Sequence, residues 1–84
     1  MSDASGITLY HKPDCVQCEA TRRAMDARGL SYAMVDLTQD EDAMAAAMAA
    51  GHRSAPVVAL DGMILWSGFR PDLIDRLAEA EGMS

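Results

Sequence analysis

The sequence predicts an α/β fold with the element order βαβαββα: a four-stranded mixed sheet flanked by helices on both faces. Three observations carry that expectation. Short apolar runs bounded by turn residues fall at 7–10, 31–37, 57–60 and 63–66, the length and punctuation of strands. The two stretches between the first three runs are long enough for helices and end in Gly29 and Gly51, glycine being a common helix stop. The last two runs are joined by Asp61-Gly62 alone, a strong hairpin signal.

The first strand, 7–10, lies between Gly6 and Lys12-Pro13-Asp14. A helix follows from Cys15 or Val16 to about Arg28. Its apolar stripe is read as Val16, Ala20, Ala24 and Ala27, with Glu19, Arg22 and Arg23 toward solvent. Gly29 ends it, and the second strand, 31–37, places Tyr32, Met34 and Val35 on the pleat. So short a connection makes strand, helix and strand a right-handed parallel unit. Thr38-Gln39-Asp40-Glu41 matches a capping box opening a second helix, 40–50. Met44 and Met48 sit four apart on it and are read as core filling rather than as metal ligands. Pro56 heads the third strand. Pro71 suits the first position of the last helix, with Asp72 in its first turn. Leu73, Ile74, Leu77 and Ala78 supply its apolar face, and the chain is expected to fray from Glu81. With no internal repeat and no linker, residues 1–84 read as one domain with a core of about 6–80.

Charge and composition narrow the function. The formal net charge is −6, which argues against nucleic acid or an anionic membrane as partner, since both call for basic patches. No apolar run approaches the roughly 18 residues of a membrane span. The first six residues have neither the basic region nor the apolar stretch of a signal peptide. Two cysteines spaced for cycling, in a chain of 84 residues with no others, suit a reducing cytoplasm.

Those cysteines form Cys15-Val16-Gln17-Cys18, placed where a strand hands over to a helix. Residues three apart share a helix face with Cβ atoms about 5–6 Å apart, and a disulfide needs Cα atoms roughly 4.4–6.8 Å apart. The pair can therefore open and close with little backbone movement. At the helix N-terminus, free N–H groups and the macrodipole favour a thiolate, so Cys15 is the expected nucleophile. Cys18, one turn in, is the expected resolving cysteine. Lys12 favours the Cys15 thiolate and Asp14 opposes it. A permanent disulfide across so short a loop would restrain the unfolded chain little. Zinc needs about four ligands, and only His11 and His52 could join the cysteines. No metal site is expected.

Other candidates stand beside bland readings. His11 invites a general-base or thiolate-tuning role, although a lone histidine before a turn is more often a partly exposed polar residue. His52 has a weaker case. Pro56 at the head of a strand is unremarkable by propensity alone, and X–Pro bonds are cis only about 5–6% of the time. In Trp66-Ser67-Gly68-Phe69-Arg70-Pro71-Asp72, the aromatics read first as core, while Arg70 could cap a helix, hold a loop or meet a partner's carboxylate.

Three blocks together, Cys15-Val16-Gln17-Cys18, Ala55-Pro56-Val57-Val58 and residues 66–72, resemble the NrdH-redoxins, glutaredoxin-like members of the thioredoxin superfamily. The resemblance runs over about residues 7–80. It implies a thioredoxin-like fold, a cis Pro56 that presents the Ala55 backbone to an extended substrate, and Trp66 and Phe69 shaping the adjacent surface. It also implies partners: the large subunit of a class Ib ribonucleotide reductase as electron acceptor and thioredoxin reductase as donor. Glutaredoxins hold glutathione partly through a Gly-Gly-(Cys/Ser)-Asp stretch, and bulky residues stand here instead. His11 occupies a position where relatives often carry a small hydroxyl residue.

The leading expectation is thus a thiol–disulfide oxidoreductase, a protein disulfide reductase and electron carrier rather than a stand-alone enzyme, with no cofactor beyond the Cys15–Cys18 disulfide. A glutathione-dependent glutaredoxin is the alternative. A Cys-x-x-Cys metal carrier ranks lower: copper chaperones usually carry Met two residues before the first cysteine, where Pro13 stands, and their element order differs.

Overall fold

In the computed structural model, which describes residues 6–51 and 54–82, the elements are β1 (Ile7–His11), α1 (Val16–Ala27), β2 (Ala33–Asp36), α2 (Glu41–Ala49), β3 (Val57–Leu60), β4 (Met63–Ser67) and α3 (Pro71–Gly82). The order is the expected one. The sheet runs β2-β1-β3-β4. β1 pairs parallel to β2 and antiparallel to β3, and β3 antiparallel to β4, so the sheet is mixed. His52 lies outside the described residues.

Alternation along the strands divides the core. Ile7 and Leu9 of β1, Val58 of β3 and Trp66 of β4 join Met25 of α1 and Ile74 and Leu77 of α3 in one buried cluster. Val57 and Ala59 point to the opposite face, yet are 0% and 3% exposed. That face is covered too, and α2 is the helix left to cover it, with Leu37 and Ala47 buried as well. An ion pair between Arg28 and Asp75 ties α1 to α3.

Local signals explain most boundaries. At the end of α1, Gly29 has φ +74°; its N–H donates to Asp26 O (3.0 Å) and the Leu30 N–H to Met25 O (3.1 Å). That is a Schellman closure, which glycine enters without a Cβ penalty. In the β3–β4 hairpin both Asp61 (φ +52°) and Gly62 (φ +84°) are left-handed, the pattern of a type I′ turn. A bulge then leaves Leu65 unpaired between Trp66↔Val58 and Ile64↔Ala59.

Several expectations are corrected. The buried face of α1 is Cys18, Thr21 and Met25, positions three and four apart. Of the expected stripe Val16, Ala20, Ala24 and Ala27, Ala24 packs half-buried against the core cluster and Ala20 is half-buried, whereas Ala27 is exposed and Val16 stands at the open first turn, 83% exposed. The cap of α2 is Asp40, whose carboxylate accepts the Ala43 N–H (3.0 Å), rather than Thr38, which is held by the Asp36 carboxylate through its N–H and hydroxyl. Asp36 thus builds an Asx-type turn that takes Thr38 out of capping range. Met48 is 52% exposed and fills no core gap; Ala47 is the buried residue of α2. α3 continues through Glu81 to Gly82. Among the described residues no helix is long and apolar enough to cross a membrane.

Candidate active site

Cys15 is the N-cap of α1, in extended conformation (φ −111°, ψ 106°), and its Sγ accepts the Cys18 amide N–H at 3.1 Å. A sulfur stands where a serine or aspartate oxygen would cap a helix. Backbone N–H groups and the positive end of the macrodipole therefore converge on Cys15 rather than on Cys18. The two cysteines are joined as a disulfide with Cα atoms 5.2 Å apart. Cys15 is half-buried, whereas Cys18 is 4% exposed. The asymmetry expected from the sequence is present in the backbone.

Two other segments meet this helix end. The Ala55–Pro56 bond is cis, as the resemblance implied, and Ala55 O lies 3.8 Å from Cys15 Sγ. The Gly68 N–H donates to Pro56 O (2.8 Å). A Cβ on Gly68 would stand 3.9 Å from Gln17 Oε1. The cysteine motif, the Ala55-Pro56 corner and the turn after β4 are thus neighbours, although 40 residues separate Cys15 from Ala55. Val16 and Phe69, 83% and 38% exposed, add apolar surface to this end. A recess beside Cys15 is lined by Asp14, Val16 and Glu19.

The remaining sequence candidates fall differently. Trp66, read by residue type as core and by the resemblance as shaping the partner-facing surface, is 7% exposed and packs in the core cluster, because the pleat turns it inward opposite Val58. Arg70 turns back on its own loop: its guanidinium donates to both carboxylate oxygens of Asp72, at 3.2 and 3.0 Å. The Asp72 carboxyl is held below its usual range, chiefly by that hydrogen bond from Arg70. Arg70 O also accepts the Leu73 and Ile74 N–H groups that open α3. Of its three readings, helix cap and loop brace are the two realised in this geometry. Lys12 is half-buried in the segment between β1 and Cys15.

His11 ends β1 opposite Asp36. Asp36 is shifted below its usual value first by the Thr38 hydroxyl and amide, and in smaller part by His11. Glu19 is lowered chiefly by hydrogen bonding and charge from Arg22, at 2.7 Å, with a lesser contribution from His11. Among the described residues no three His, Cys, Asp or Glu side chains come together as a metal site.

Sequence reasoning missed Thr21. It is 0% exposed, one turn beyond Cys18 on the same buried face, and its hydroxyl has no hydrogen-bond partner. The i, i+3 spacing from Cys18 was the available signal.

Comparison with known proteins agrees with this geometry. The glutaredoxin family model matches residues 7–65, stopping one residue before Trp66. The glutaredoxin-like protein NrdH of Escherichia coli K12 is 49% identical over 74 residues, covering 88% of this chain and 90% of that protein. The gene 56 protein of Mycobacterium phage D29 is 31% identical over 87% of this chain and 82% of its own length. Among solved structures, NrdH-redoxin from E. coli, described as a glutaredoxin-like protein with a thioredoxin-like activity profile, superposes with a TM-score of 0.78. It is 48% identical and spans 84% of this chain and 92% of its own.

Proposed function

The chain belongs to the glutaredoxin-like NrdH family and is a thiol–disulfide oxidoreductase, and we propose that it is the dithiol electron donor to the large subunit of a class Ib ribonucleotide reductase. Thioredoxin reductase supplies its electrons, in the cytoplasm, with no cofactor beyond Cys15 and Cys18. The observation that carries the chemistry is the Cys18 N–H aimed at Cys15 Sγ (3.1 Å) at the start of α1. It offers a developing thiolate on Cys15 a backbone donor and a helix N-terminus.

The exchange follows from that placement. Cys15 thiolate attacks one sulfur of the acceptor disulfide, and the other sulfur leaves as thiolate. Cys18 then loses its proton and attacks Cys15 Sγ. That expels the acceptor's second thiolate and closes the Cys15–Cys18 disulfide, two electrons having moved to the acceptor. Ala55 O, beside Cys15 Sγ, offers an acceptor for a backbone N–H of an extended substrate segment. Val16 and Phe69 supply apolar contact at its sides.

Two observations support a protein reductase over glutathione as donor. Arg70 of the turn after β4 pairs with Asp72, and bulky Phe69 and Arg70 stand where glutaredoxins carry small glutathione-holding residues. The E. coli relative is described by a thioredoxin-like activity profile. The test is multiple-turnover deoxyribonucleotide synthesis with NADPH, thioredoxin reductase, class Ib reductase and this protein, beside an arm with glutathione and its reductase. Sustained synthesis in the first arm is expected. Product that stops at the amount stored in the reductase's own thiols, while Cys15–Cys18 is still being reduced, would remove the acceptor. Turnover with glutathione alone would make the protein a glutaredoxin in coupling.

A further inference from the structure

Thr21 is 0% exposed and its hydroxyl has no hydrogen-bond partner in the disulfide form. A helical threonine commonly turns its hydroxyl back to the carbonyl three or four residues earlier; here that would be Cys18 or Gln17, and neither accepts it. Side chains on a helix lean toward its N-terminus, so Thr21 leans over the turn that carries Cys18. Their Cβ atoms are about 5–6 Å apart at this spacing. Both lie on the buried face of α1 with Met25.

The sulfur beneath Thr21 changes character during the reaction. In the disulfide, Cys18 Sγ is neutral and a weak acceptor. To resolve the mixed disulfide it becomes a thiolate at a position that is 4% exposed in the disulfide form, and burial disfavours that charge. The helix end does not supply the missing donor, because the Cys18 N–H is directed at Cys15 Sγ. An idle donor stands one turn away from a sulfur that acquires a need for one.

We infer that, once the disulfide opens, the Thr21 hydroxyl donates a hydrogen bond to Cys18 Sγ, making Thr21 the positioning residue for the resolving half of the exchange. The inference rests on the dithiol exchange described above and not on the identity of the acceptor.

The test uses reduced protein and the chromogenic disulfide dithiobis(nitrobenzoate). Cys15 thiolate attacks one reagent sulfur and releases the first nitrothiobenzoate. Cys18 then loses its proton to buffer, attacks Cys15 Sγ and releases the second, so two electrons pass from the cysteine pair to the reagent. Stopped-flow absorbance resolves the two releases. The wild type, Thr21→Val, Thr21→Ala and Thr21→Ser are compared across pH. In Thr21→Val and Thr21→Ala the ratio of second-phase to first-phase rate should fall about tenfold or more at neutral pH, the scale of losing one hydrogen bond to a charged group. Their second-phase pH profile should move to higher pH. Thr21→Ser, which keeps the hydroxyl, should restore both. An unchanged ratio and profile in both hydroxyl-free variants would overturn the inference, as would a serine variant as slow as valine, which would make packing the cause. Absence of the first phase in the wild type would overturn the exchange reading itself, and this inference with it.

Discussion

Two cysteines three residues apart are chemically equivalent until the backbone separates them. Here one caps α1 and receives a backbone N–H, while the other is buried on the helix's inner face. Cys18→Ser should therefore accumulate mixed disulfides through Cys15 when mixed with substrate proteins, and Cys15→Ser should trap none. Non-reducing electrophoresis with mass spectrometry reads the outcome, and trapping by Cys15→Ser alone would reverse the roles. Beyond the far end of the same helix, Tyr32 reaches back to Asp26. Its hydroxyl donates to Asp26 Oδ1 at 2.7 Å. Burial first, then that bond and the Asp26 charge, push its pKa from 10.0 up to about 12. The folded value lies above the unfolded one, so the stability Tyr32 contributes is complete below about pH 10 and is lost between about pH 10 and 12. Ultraviolet titration should show a phenolate transition near the upper limit that Tyr32→Phe removes. Tyr32→Phe should also flatten the alkaline fall in denaturation midpoint over that window.

At the scale of elements, the two helices nearest the N-terminus were read with unequal success. The end of α1 was visible because Gly29 is the residue a Schellman closure wants, and the hairpin because Asp61-Gly62 both tolerate positive φ. The buried face of α1 was not visible. The expected stripe runs through alanines, whereas the interior takes a cysteine, a threonine and a methionine, of which polarity alone would send the threonine outward. In α2, seven of the nine residues are alanine or methionine, which fit any face, and a matching capping pattern at Thr38 competed with a better-placed aspartate. The structure makes that competition measurable. Asp40→Ala removes the carboxylate that holds the Ala43 N–H and should cost about 0.5–2 kcal/mol by urea denaturation. Thr38→Ala leaves the α2 cap intact, so it should cost less. The reverse order would return the cap to Thr38. In the candidate site, Cys15, Cys18 and Pro56 were legible from motif and resemblance. The burial of Trp66 agrees with the reading of its residue type as core and not with the surface role that the resemblance implied. The turning of Arg70 onto Asp72 was not legible, because it depends on loop closure rather than on residue type.

Across the whole molecule, the sheet brings three segments distant in sequence to one end without using the disulfide as a support. The core cluster draws on β1, β3, β4, α1 and α3 through Ile7, Leu9, Met25, Val58, Trp66, Ile74 and Leu77, and neither cysteine belongs to it. The Cys15–Cys18 bridge spans a sequence separation of 3. In the chain-entropy account a loop that short restrains the unfolded chain by only about 2 kcal/mol. Reduction also leaves Cys18 as a small, nearly apolar group in the place it already fills. A protein that alternates between disulfide and dithiol needs this independence, because each turnover would otherwise pass through a partly unfolded chain. Both redox forms should therefore melt in one cooperative transition. The reduced form should lie lower by about 8–16 °C, the shift that such an energy gives a domain of this size. Differential scanning calorimetry of the oxidised protein, and of the same protein held reduced, measures the gap. A reduced form without a cooperative transition would mean that the disulfide is part of the scaffold, and the cysteines would then be a structural staple rather than a working pair.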